Sequence, residues 1–242
     1  LKDFNDASPL LQARYIKTGL GEDSFGKVIS KLLYKNYRRH NTNLLKAISK
    51  LCVAKRINSI VTYNFDNLLE ETLHETGLPF KTIYRDMYSP LHNELAINHV
   101  HGFLPEHAEN YEDLTESLLV FSEDGYHSLI QDPYIWSNIV QLNLLRENTC
   151  LLIGLSMTDP NLRRLLAISS KRVEEPKHYV ILKKQHFKKS KDDKEDIRDG
   201  ALQVFSNVNQ ELQEKTFQEL GLNIIWIESY EEIPSILDSI RA

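Results

Sequence analysis

The stretch INSIVTYNFDNLLEETL, Ile57 to Leu73, begins as an apolar run suited to a strand and ends in helical spacing, with Thr62-Tyr63-Asn64-Phe65-Asp66 at the change. Four further apolar, β-rich runs follow: Ala96 to Val100, Cys150 to Leu155, His178 to Leu182 and Asn223 to Glu228. Helical patterns lie between or after them, at Asp66 to Thr76, Pro133 to Arg146, Pro160 to Arg172 and Glu231 to Ile240. Upstream, Leu10 to Tyr15, Phe25 to Tyr37 and Leu44 to Val53 carry helical spacing, interrupted by Gly19, Gly21 and Gly26. Runs such as TCLLIGL and NIIWI are apolar on both faces, which suits a parallel sheet covered on each side. The expected class is α/β: a doubly wound, mostly parallel, Rossmann-like sheet with helices on both faces and an N-terminal helical module.

Composition bounds the possibilities. The 242 residues are 41% hydrophobic and 26% charged, as in an ordinary globular domain, and no repeat or Pro/Ser-rich linker divides them. A net charge of -5 gives no electrostatic footprint for nucleic acid. Neither an apolar run of the roughly 20 residues that span a bilayer nor a signal peptide is present, so no membrane partner is expected. Cys52 and Cys150 sit in apolar segments, as core thiols of a reducing, cytoplasmic compartment, and two cysteines cannot make a four-cysteine zinc site. Residues 183–220 are polar and rich in Lys, Asp and Gln, and read as a charged helical insertion.

In an open parallel sheet, ligands bind where the strands end at their carboxyl edge. Three strand ends are polar there: Thr62, Asn64 and Asp66; His101 and Gly102; Gly154, Ser156 and Asp159. Each also has a purely structural reading. Asp66 suits a helix N-cap and Asn64 a turn. Asp159-Pro160 is a helix-start signal, and Asp132-Pro133 repeats it where nothing else suggests function. His99 and His101 share a strand face and, with His107, invite a metal reading, but no acidic or cysteine partner stands at a recognisable spacing, so no metal is expected. Ser156 in IGLSMTDP partly matches a nucleophile elbow; Thr158 stands where that motif needs its second glycine.

Taken in order, VTYNFDNLLEETL, NHVHGFLP, LLVFSEDGYHSL, DPYIWSNIVQLNLLRENTCLLIGLSMTDPNLRRLL and NIIWIESYEEI resemble the sirtuin-like NAD-hydrolase domain of bacterial antiphage defence proteins, the NAD-hydrolysing subunit of the Thoeris system among them. The likeness runs from about Leu44 to Ala242. It implies one sirtuin-like NAD-binding domain over residues 1–242, residues 1–55 being its helical N-terminal part. It also implies an NAD glycohydrolase that takes NAD as substrate and yields nicotinamide with ADP-ribose or a cyclic form. By the family's motifs His101 would be the base and Asn64 the amide that orients the attacking oxygen. Thr62 would support the loop and Asp66 would contact nicotinamide or its ribose. Gly154, Ser156 and Asp159 would hold ribose or phosphate, and Tyr230 would lie near adenine. A homo-oligomer and a sensor domain or activator outside this segment are the implied partners.

Two departures stand out. The family's Gly-Ala-Gly-x-Ser loop has no counterpart before Thr62, since TGLGEDSFG at Thr18 to Gly26 follows no β-run and reads as a connection between helices; the first strand and its loop are expected upstream of Leu1. Tyr63 replaces the Gln usual in deacylating sirtuins, which with the missing zinc cysteines disfavours a protein deacylase. Three function classes remain: NAD hydrolysis, a non-catalytic NAD or nucleotide sensor, and a serine hydrolase using Ser156.

Overall fold

Short runs of β-branched residues and capped amphipathic helices alternate along the chain, and the computed structural model describes them over residues 7–35, 42–86, 89–171, 174–187 and 199–241. Its helices are α1 (Pro9–Leu20), α2 (Glu22–Lys35), α3 (Asn43–Val53), α4 (Leu68–His74), α5 (Glu123–Gln131), α6 (Trp136–Glu147), α7 (Pro160–Ser170), α8 (Asp199–Glu219) and α9 (Ile233–Arg241). The strands are β1 (Ser59–Thr62), β2 (Phe80–Ile83), β3 (Leu95–His99), β4 (Leu151–Leu152), β5 (His178–Lys183) and β6 (Leu222–Ile227). The fold is α/β, and the described strands pair, all in parallel, as two three-stranded sheets ordered β1-β3-β2 and β4-β5-β6. The chain divides into two compact units, Leu1–Val140 with Pro234–Ala242, and Gln141–Ile233.

In the first unit β3 is the central strand, and all five of its residues are buried. A cluster of Cys52 from α3, Leu73 from α4, and Leu95 and Ile97 from β3 packs beneath Ile48, Ile60, Leu69 and Phe80. Each such aliphatic side chain is worth about 1.5–3 kcal/mol of burial, which fastens α3 and α4 to the sheet. Burial pushes the Cys52 thiol up to about 11, so it stays a neutral core group. The expected connection at TGLGEDSFG is there: α1 ends at Leu20, Gly21 turns with φ +78, and α2 follows at once. Gly26, expected to interrupt the helix, lies within α2.

The second unit is built around β5, flanked by β4 and β6. His178 at its start is 2% exposed and accepts the Cys150 N–H through Nδ1 at 3.1 Å. Trp226 on β6 donates to Glu214 of α8 at 2.6 Å, tying the long helix to the sheet. That helix falls in the expected charged insertion, whose residues 188–198 lie outside the described ones; it also exposes Val204, Phe205, Val208 and Leu212, so it is not charged throughout.

Two elements escape the sequence reading. β2 follows α4 after Gly77, Leu78 and Pro79 and is only four residues long, yet it supplies one edge of the first sheet. α5 opens with Ser122 at its cap position and Glu123 and Asp124 in its first turn. Asp132, expected to start a helix with Pro133, instead ends α5 and accepts the Tyr134 N–H in a turn; α6 begins at Trp136.

Burial, with nearby Lys177 adding to it, lowers the His178 pKa from 6.5 to about 4, so the unfolded chain binds the extra proton first. Because this folded-state value is depressed, the His178 contribution is present above pH 6.5 and is lost as pH falls through about 4. Denaturant unfolding across that range is expected to lose stability on the acid side, and His178→Asn, which keeps an acceptor for Cys150, is expected to flatten that limb.

Candidate functional site

Thr62 and His99 are cross-strand partners at the ends of β1 and β3. The Val100 N–H donates to the Thr62 carbonyl at 3.2 Å, and the Leu104 N–H to the Phe65 carbonyl at 2.7 Å, so the two outgoing loops stay laced together past the sheet. Asn64 and His101 each lie two residues beyond the paired Thr62 and His99. The loops therefore leave neighbouring parallel strands at one level, which brings Asn64 and His101 to the same edge of the first sheet.

The loop after β1 is shaped by its own polar groups. The Thr62 hydroxyl accepts the Asn64 N–H at 3.1 Å, a local turn that supports the loop. Asn64 is exposed. Asp66 Oδ1 accepts the Leu68 N–H at 3.1 Å, while the cap position itself belongs to Asn67. Burial raises the Asp66 pKa against the pull of that N–H, and Glu70 raises it further while His99 lowers it. Tyr34 of α2 donates to Asn67 Oδ1 at 2.8 Å or to the Leu104 carbonyl at 2.9 Å, and accepts the Asn67 N–H at 3.2 Å. The N-terminal helical module thus fastens both loops.

His101 is 5% exposed. The Tyr63 ring meets it edge-on at 4.4 Å between centroids, and the Tyr126 ring at 5.7 Å. Its carbonyl accepts the Val120 N–H at 2.7 Å. Gly102 next to it has φ +116, and a Cβ there would meet the Leu118 carbonyl oxygen at 2.5 Å, so only glycine fits. Gly125 of α5 grips the same segment from elsewhere: an added Cβ would lie 2.8 Å from the Leu119 carbonyl oxygen. His99, paired with His101 in the metal reading, is engaged instead with Glu70, and His107 with Glu109. Among the described residues no group of three or more His, Cys, Asp or Glu could hold a metal ion.

The other predicted residues belong to the second unit. Gly154 has φ +72 with open space where a Cβ would point, so backbone conformation alone calls for glycine. Ser156 is exposed and its hydroxyl bonds that of Thr158 at 2.7 Å. Asp159 caps α7, its Oδ1 accepting the Leu162 N–H at 2.7 Å. Because α7 begins only at Pro160, Ser156 is not on a sharp strand-to-helix turn. Tyr230, 61% exposed, opens a 3₁₀ turn behind the Ser229 cap, with Lys183 Nζ 5.7 Å from its ring centroid.

Sequence reasoning missed Glu70, Asn67 and Tyr34, all of which hold the first-unit loops. Glu70 and Asn67 sit within the quoted opening stretch, where the helical period places Glu70 on the buried side of α4.

With a polar loop after β1, a His-Gly pair after the neighbouring β3 and all described strands parallel, the chain belongs to the SIR2-like domain family, whose model matches residues 58–214. Among curated proteins it is similar to the NAD(+) hydrolase ThsA of Enterococcus faecium, 27% identical over 191 residues that cover 76% of this chain and 38% of the relative. It is also similar to the NAD(+) hydrolase ThsA of Bacillus cereus (strain MSX-D12), 24% identical over 200 residues covering 79% of this chain and again 38% of the relative. The chain thus spans well under half the length of these two relatives.

Because the folded-state pKa of Asp66 is raised, its stabilising contribution is present below the ordinary carboxyl range and is lost as pH rises through the folded value. Asp66→Asn, which keeps an acceptor for Leu68, is expected to raise the unfolding midpoint at about pH 7, with the gain vanishing at about pH 3 in denaturant titrations.

Proposed function

We propose that this domain hydrolyses NAD at the bond between nicotinamide and ribose, releasing nicotinamide and ADP-ribose or its cyclic form. The observation behind the reading is the equal offset of Asn64 and His101 past the Thr62–His99 pair on adjacent parallel strands. The names of the two ThsA relatives supply the substrate.

The chemistry asks for few groups. Nicotinamide leaves a cationic pyridinium as a neutral molecule, so no acid is required, and positive charge develops on the ribose carbon. His101 takes the proton of water or of a ribose hydroxyl, and the Asn64 amide orients that oxygen. Asp66 faces nicotinamide or its ribose, while Gly154, Ser156, Asp159 and Tyr230 are assigned to cofactor binding. His101 is 5% exposed, with the Tyr63 and Tyr126 rings edge-on to its imidazole. The same burial favours a second reading, a non-catalytic NAD-sensing domain for which the imidazole is dispensable. The resemblance to defence proteins extends the proposal to an antiphage effector that depletes NAD in the cytoplasm, working as a homo-oligomer under a sensor domain or activator.

Nicotinamide release from NAD by the full chain, followed by chromatography, is the test. His101→Ala and Asn64→Ala are each expected to lower turnover by about 10²–10⁴-fold, the usual worth of a positioned proton-transfer group, with folding preserved. NAD binding with no turnover in the unaltered chain or in either variant would favour the sensor. Loss of activity confined to Ser156→Ala would favour the serine hydrolase.

A further inference from the structure

His99 closes β3 with a ring that is 1% exposed, and both of its nitrogens face oxygen. Nδ1 lies 3.1 Å from the Asn64 carbonyl oxygen and Nε2 lies 2.7 Å from Oε1 of Glu70, whose side chain is also 1% exposed. A carbonyl can only accept, so Nδ1 must hold a proton. The short Nε2 contact then has two chemical forms: an imidazolium donating to a carboxylate, or a Glu70 carboxyl donating to a neutral ring. Both forms send Nδ1–H to the backbone of Asn64. The Thr82 hydroxyl on β2 donates to the same Oε1 at 3.3 Å, which fixes the carboxyl from a third element, and Phe103 packs against the imidazole with centroids 4.3 Å apart.

Such an arrangement is costly as mere filling. Glu70 Oε2 is buried with no hydrogen-bond partner among the described residues. Well-packed apolar side chains commonly replace a buried ionisable pair with no loss of stability, so stability alone does not account for this one. What the pair does that apolar residues cannot is hold the carbonyl of Asn64. Resting on the NAD-hydrolysis reading above, we propose that Glu70 and His99 are positioning residues: they orient the Asn64 loop from beneath, so that the amide side chain stands at the right place for the attacking oxygen.

The test compares two variants in the full chain. Glu70→Gln keeps a partner for Nε2 of the same shape and is expected to hold kcat within about threefold. The double variant Glu70→Met with His99→Phe removes both buried polar groups together, so neither is left stranded. It is expected to unfold at no lower denaturant concentration than the unaltered protein. Its kcat is expected to fall by about 10²-fold, the scale of a displacement near 1 Å, with KM for NAD within about threefold. A parallel readout needs no turnover: the ¹⁵N resonances of the Asn64 backbone and side-chain amides are expected to move in the double variant and to stay in place in Glu70→Gln. A folded double variant with unaltered kcat, or with unmoved Asn64 resonances, overturns the proposal, as does Glu70→Gln behaving like the double variant. If the unaltered chain releases no nicotinamide while the Asn64 resonances respond as expected, the positioning stands and the hydrolase reading falls.

Discussion

Parallel pairing of β1 with β3 in the register Thr62 to His99 is the constraint on which the first unit depends. Because side chains alternate across a strand, a slip of one residue would turn every β3 side chain to the opposite face and would separate the two loops by a step along the sheet. The register is held by more than the ladder. Asn98, buried within β3, donates its amide to Ser59 Oγ and to the Ile60 carbonyl, both at 3.0 Å, and so fixes one strand against the other from inside. A polar side chain in a central strand specifies one alignment where an apolar one would tolerate several.

Past the sheet, order passes from backbone ladders to side chains. Asn67 gathers Tyr34, the Glu106 N–H and Glu71; Asp66 turns the chain into α4; His99 and Glu70 support Asn64 from below. Of these residues only Asn64 and Asp66 are assigned a role against substrate in the proposed reaction; the others act by holding the loop. Hydrogen bonds from several side chains, converging on one loop, restrain where it can sit. A rigid loop is what a positioned amide requires.

Much of this was legible in the residues. The alternation of apolar runs and helical spacing shows the α/β class, and strand ends rich in Asn, Asp and His mark an edge worth searching. β2 was hidden because four residues after Gly77 and Pro79 are too short a run to stand out, and its strand character comes from pairing with β3. α5 was hidden because its polar first turn resembles a loop. Glu70 and His99 appeared as an ordinary helix acid and a possible metal ligand. Their true relation depends on α4 lying over β3, and a contact between residues so far apart in sequence has no local signature. Asp159 caps α7 as its sequence context suggests, whereas Asp66 stands one residue before the cap position that Asn67 holds and still accepts the Leu68 N–H; neither hydrogen bond excludes a ligand contact.

Gly102 and Gly125 close on the same three-residue segment, Leu118 to Val120, from a strand end and from a helix. Neither leaves room for a methyl group, and that segment's Val120 N–H is bonded to the carbonyl of His101. The two glycines therefore act on one and the same piece of backbone. A side chain at either position would press on the backbone that seats His101, whatever stood at the other, so the place of the imidazole is set in part by a segment that contributes no chemistry of its own.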